Sequence, residues 1–167
     1  ATKAINAGYF KEQILPVVIQ TGKKQKVFDT DEHCREQVRL QDFSKLKPAF
    51  DRDGTVTAGN SSGINDGASA LVLANKSAIS KYSMPVMAKI ISYGVGGVAP
   101  HLMGLGPIPA VKEALLIAEL NISQIDCIES NEAFAAQACA VAGELNFDPA
   151  KTNPNGGAIA LGHPVGA

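Results

Sequence analysis

One histidine, His163, stands in the run Asn153-Pro-Asn-Gly-Gly-Ala-Ile-Ala-Leu-Gly-His-Pro-Val-Gly-Ala167, beside Gly156, Gly157, Gly162 and Gly166. Imidazole has an unperturbed pKa of about 6.5, so it takes up and returns a proton near neutrality. Glycine reaches backbone conformations closed to other residues and lets a ligand come close. The run suits a catalytic base beside a substrate lying against bare backbone. A Gly-rich loop carrying a turn histidine is the plainer alternative. Gly54-Thr-Val-Thr-Ala-Gly-Asn-Ser-Ser-Gly-Ile-Asn-Asp-Gly-Ala68 is the second such string. Its glycines, with Asn60, Ser61, Ser62, Asn65 and Asp66, make a rigid polar turn, a substrate contact or a helix cap. Ser130-Asn-Glu-Ala-Phe-Ala-Ala-Gln137 follows an apolar stretch. A strand end leading into a helix is where α/β proteins place ligand contacts, although Asn131 also fits a helix N-cap.

The elements that must position these strings alternate. Short strands are read at Ile14–Ile19 and from Val27, and a buried strand at Ala68–Ala74. A helix at Ser77–Tyr82, a strand at Val86–Tyr93 and the glycines Gly94 to Gly97 come next. Pro107–Leu120 is the clearest helix, with Val111, Ala114, Leu115 and Ala118 on one face and two prolines in its first turn. Ile125–Glu129 reads as a strand and Glu132–Leu145 as a helix. Strand and helix in alternation indicate an α/β fold with at least partly parallel pairing.

Composition narrows the function classes. A formal net charge of −1 gives no electrostatic case for nucleic acid or an anionic membrane. No apolar run reaches the length of a membrane span. Cys34, Cys127 and Cys139 lack Cys-x-x-Cys spacing, which argues against a zinc site or disulfide framework and suits a reducing cytoplasm. Cys127 and Cys139 read as buried structural residues, and Cys34 as exposed.

The three strings together resemble the thiolases, enzymes that make or cleave 3-ketoacyl-CoA. The resemblance extends over almost all of the chain but less than half of a thiolase subunit. The chain begins with Ala1 and stops while the His163 signature is still running, so an internal fragment is expected. The resemblance implies a layered αβαβα core. Residues 1–62 would be the end of a loop domain over the active site, 63–84 the last part of the N-terminal half, and 85–167 most of the C-terminal half.

It also implies roles. His163 would take the proton of a nucleophilic cysteine and donate to the thioester oxygen. Asn131 would order a water that helps to polarise that oxygen, an oxyanion-hole arrangement. Phe134 and Met103, the latter in the turn Met103-Gly-Leu-Gly-Pro107, would line the acyl pocket. Ser62 would hydrogen-bond the pantetheine arm and Ala58 keep the tunnel wall low. Arg35 would contact the nucleotide end of CoA, or simply be solvated. Asp42 departs from the small or polar residue usual at its position. Neither cysteine motif of the family is present. The implied reaction is ping-pong condensation of two acetyl-CoA to acetoacetyl-CoA and CoA, or the reverse, with a longer-chain 3-ketoacyl-CoA thiolase as the alternative. The isolated piece is expected to be inactive, a CoA-binding or structural part. No cofactor or metal is implied beyond CoA thioesters as substrates. The full-length form would be a cytoplasmic homodimer or homotetramer.

Overall fold

A computed structural model describes residues 1–167. Helix α1 (Thr2–Asn6) precedes an antiparallel hairpin of β1 (Val17–Thr21) and β2 (Lys24–Phe28), with Val17 opposite Phe28 and Thr21 opposite Lys24. Gly22, at φ +61°, supplies the left-handed residue of the two-residue turn. The first strand begins three residues later than its apolar run, just after Pro16, which has no N–H to give a ladder. Helix α2 (Leu40–Phe43) follows, where Asp42 accepts from the backbone N–H and guanidinium of Arg39 at 3.1 and 3.4 Å. The family departure at Asp42 thus has a local partner.

Helix α3 (Lys76–Tyr82) is capped by Asn75, whose Oδ1 accepts from the N–H of Ala78 at 2.9 Å. A 3-10 turn at Pro100–Leu105 runs directly into α4 (Pro107–Ala118). A second, at Ile122–Gln124, leads to the Asn131 string, and then come α5 (Ala135–Leu145) and α6 (Ala158–Leu161). The helix faces follow the sequence. Val111, Ala114, Leu115 and Ala118 of α4 face Ile90 and Ile91 across an apolar cavity of about 360 Å³. Ser92 Oγ donates to the carbonyl of Ala114 at 2.7 Å, and the N–H of Val95 to Glu113 Oε2 at 2.7 Å, so residues 90–95 are laid along α4.

The strands differ from expectation. Ala68–Ala74 and Val86–Tyr93 form no ladder, and Leu71 and Met87 are 89% and 100% exposed. A strand buried on both faces needs paired neighbours and covering helices, and β1 and β2 form the one sheet present. Ile125–Glu129 is reduced to a parallel bridge of Ile128 with Thr152, made by Ile128 N–H to Lys151 O at 2.9 Å and Asn153 N–H to Ile128 O at 2.8 Å. Only Ala4, Val141 and Leu145 are buried, so the apolar content is not closed into a core by these residues alone. For the same reason Cys127 and Cys139 are exposed rather than buried, and Cys34 is half-buried beside Thr2 Oγ1.

Candidate active site

His163 sits directly after α6, and the chain turns into it at Gly162, whose φ of +102° and ψ of 164° suit glycine alone. The backbone N–H of His163 donates to Gly63 O at 3.1 Å and to Asn65 Oδ1 at 3.2 Å. Ile64 and His163 form a parallel bridge. One residue on, Pro164 packs against Gly67, where a Cβ would meet the proline ring at 2.7 Å. The two Gly-rich strings are therefore adjacent, and their glycines make room for each other's side chains.

The Asn131 string joins them from the third side. Ser62 N–H donates to Ala133 O at 3.0 Å, Ala135 N–H donates to Asn60 O at 2.9 Å, and Ser61 bridges Phe134. This pairing keeps residues 130–134 out of the helix. Helix α5 consequently starts at Ala135, three residues later than expected, with Phe134 as its N-cap. Asn131 is thus not a cap, and its side chain is free to reach the histidine. Asn131 Nδ2 lies 3.3 Å from His163 Nε2.

Asn153 braces the same string. Its Oδ1 accepts from Ser130 N–H at 2.8 Å, and its Nδ2 donates to Ser130 O at 2.9 Å and to Glu132 Oε1 at 3.1 Å. Glu132 Oε2 accepts from Ile159 N–H in α6 at 3.3 Å. Ser130, Asn131, Asn153, Gly157 and Gly162 line a polar cavity of about 290 Å³. Glu132 and Asn153 are site residues that sequence reasoning quoted within its strings and gave no role, and Asn65 is one it read only as part of a polar turn, substrate contact or cap. Their signal is spatial: each reaches a segment remote in the chain. His33, outside those strings, also reaches the site, since its ring lies over Gly63, where a Cβ would collide with it.

The remaining sequence candidates are spread around this centre. Ser62 is half-buried and held in the 60–62 pairing by its backbone, with Ala58 exposed nearby. The Phe134 ring is edge-on to Phe50, with centroids 5.9 Å apart. Met103 is exposed in the turn before α4. Arg35 is exposed and makes no hydrogen bond or ion pair. None of the three cysteines is a hydrogen-bond partner of His163: Cys34 pairs with Thr2, and Cys127 lines the apolar cavity under α4.

Comparison with known proteins settles the family. Residues 1–77 match the thiolase N-terminal domain and residues 84–167 the thiolase C-terminal domain. The chain belongs to the thiolase family. The beta-ketothiolase BktB of Cupriavidus necator is 53% identical over 168 residues, which is 100% of this chain and 43% of that protein. The acetyl-CoA acetyltransferase of Escherichia coli is 53% identical over 167 residues, again 100% of this chain and 42% of that one. Among solved thiolases, human mitochondrial 3-ketoacyl-CoA thiolase in complex with CoA superimposes with a TM-score of 0.92 at 45% identity, over 99% of this chain and 41% of that one. The fold is thus an α/β thiolase fragment, and the chain spans about two-fifths of the length of the thiolases that it matches. The unpaired apolar runs at 68–74 and 86–93 fit that fact, because the matched thiolases contain residues with no counterpart in this chain.

Proposed function

We propose that this chain contributes the base and the oxyanion donors of an acetyl-CoA acetyltransferase, which condenses two acetyl-CoA to acetoacetyl-CoA and CoA or runs the reverse thiolysis. The observation that carries the proposal is the 3.3 Å approach of Asn131 Nδ2 to His163 Nε2 on a bed of glycine backbone. With the amide donating, Nε2 is the ring's acceptor, which is the state a base needs. When Nε2 gains a proton, the Asn131 amide can turn over and present Oδ1 instead. An asparagine therefore serves both protonation states, where an acid would hold the ring charged.

In the proposed cycle, written for condensation, a cysteine from outside residues 1–167 loses its proton to His163 and attacks the thioester carbon of one acetyl-CoA; the carbon–sulfur bond to CoA breaks, and CoA leaves with the proton returned by His163. Asn131, through a water, and His163 then hold the enolate oxygen of the second acetyl-CoA, which a further cysteine deprotonates; its α-carbon attacks the acetyl-cysteine carbonyl, the bond to the first cysteine breaks to leave its thiolate, and acetoacetyl-CoA departs. Ser62 and Ala58 would border the pantetheine arm, Phe134 and Met103 the acyl group, and Arg35 the nucleotide. Binding of CoA by a thiolase 45% identical to this chain supports a CoA site in the protein that carries it. A second reading, a longer-chain 3-ketoacyl-CoA thiolase, is favoured by human mitochondrial 3-ketoacyl-CoA thiolase at 48% identity.

The test compares thiolysis of acetoacetyl-CoA with that of a long-chain 3-ketoacyl-CoA, using a full-length subunit that carries this sequence. A higher kcat/KM on acetoacetyl-CoA is expected, and the reverse order would favour the second reading. The isolated 167-residue chain should show no turnover. Turnover above a heat-killed control would make one of its three cysteines the nucleophile and refute the assignment.

A further inference from the structure

We propose that Glu132 is a positioning residue that locks the Asn131 string to the His163 loop through its carboxylate, an inference that rests on the proposed reaction. Helix α6 is a single turn leading straight into Gly162 and His163, and its N-cap is Gly157, which has no side chain to satisfy the first N–H groups. Glu132 supplies that cap from across the site: Oε2 accepts from Ile159 N–H at 3.3 Å. Its other oxygen, Oε1, accepts from Asn153 Nδ2 at 3.1 Å. Gly157 must be glycine for a steric reason, since a Cβ there would fall on the Glu132 carboxyl group. Asn153 holds the backbone of Ser130 through both its donor and its acceptor. Asn131 is therefore gripped on both sides, at Ser130 and at Glu132, and the same Glu132 ties down the turn that carries the base.

The chemistry asks for a carboxylate. Both oxygens face N–H donors, from Ile159 and from Asn153. A glutamine would present its own NH₂ to one of them, leaving donor against donor. Glu132→Gln is thus expected to behave like a loss of the clamp although the shape is kept. The consequence falls on the transition state. The Asn131–His163 pair loosens, while residues 58–62 at the proposed CoA arm stay in place.

The experiment is steady-state thiolysis by a full-length subunit carrying Glu132→Gln or Gly157→Ala, read beside ring ¹⁵N NMR of His163. Both variants should lower kcat by roughly 10²-fold, the cost of misplacing a catalytic group by about 1 Å, with KM changed by less than about twofold. The Nε2 resonance should move in both, in the direction expected for Asn131→Ala measured alongside. Gly157→Ala leaves the charge intact and displaces Glu132 from the opposite side, so it decides the matter if Glu132→Gln does not fold. Variants with kcat within about threefold of wild type and an unmoved Nε2 resonance would overturn the proposal. A wild-type subunit without thiolysis would sink the reaction instead, and the NMR comparison alone would then decide whether Glu132 positions the pair.

Discussion

Replacing Gly162 by alanine isolates how the backbone aims the proposed base, His163. At φ +102° and ψ 164°, Gly162 occupies a region essentially closed to residues with a Cβ, and forcing alanine there costs about 1–3 kcal/mol. The new Cβ would also lie 2.5 Å from Asn65 Oδ1, the atom that accepts the His163 N–H. Ordinary contact begins at 3.4 Å, so Asn65 or the His163 turn must retreat by about 0.9 Å, and a misplacement on the order of 1 Å costs roughly 10²-fold in rate. Strain and displacement share one origin, and the protein can relieve the first only by accepting the second. A full-length subunit carrying Gly162→Ala should therefore lose about 10²-fold in kcat together with a lower urea midpoint. Gly166→Ala is the control, because a Cβ there meets nothing within 4 Å and its φ is not positive; it should leave both readouts unchanged. A Gly162→Ala enzyme with wild-type kcat would refute the claim that this turn aims His163.

Other substitutions separate chemistry from binding. His163→Ala in the full-length subunit should cost at least about 10²–10³ in kcat with a normal circular dichroism spectrum; activity above roughly a tenth of wild type would remove His163 from the mechanism. Asn131→Ala should be milder and lower kcat more than it raises KM. Ser62→Leu should raise KM for acetyl-CoA by blocking the proposed tunnel, and a fall in thermal stability alone would make Ser62 a turn residue. Glu144 titrates below the usual carboxylate range because Lys112 hydrogen-bonds it at 2.9 Å and adds its charge. That pair's contribution is present above the ordinary glutamate pKa and is lost as pH falls through the lowered one. Both groups are exposed, so Lys112→Ala should return the Glu144 titration to normal by NMR with little change in stability.

The site was more legible than the sheet. His163, Asn131 and Ser62 lie in strings whose residue types announce a polar, glycine-backed turn, and the structure brings those strings together. Helix α4 was legible too, since its apolar face and its prolines are local signals. Glu132 was not, because its role depends on the absence of a side chain at Gly157, twenty-five positions away. Nor was the late start of α5: helix propensity favoured Glu132 onward, and pairing with residues 60–62 overrode it. The apolar runs at 68–74 and 86–93 show the converse limit. Their composition announces strands, but pairing is a property of neighbours, and the run itself does not reveal whether they are there.

The bridge between Ile64 and His163 ties together points almost a hundred residues apart; the Asn65 contact spans 98. Closing a loop of that length costs about 4 kcal/mol of chain entropy by ideal-chain scaling, and neither end gains anything until the other arrives. Contacts of this range form late relative to local helices such as α3 and α4. The aim of the proposed base is therefore not a property of the loop that carries it. During synthesis residues 60–65 emerge first, and His163, the proposed base, gains its direction only when it folds back onto them. Until that long-range contact closes, the folding chain holds an imidazole but no poised base.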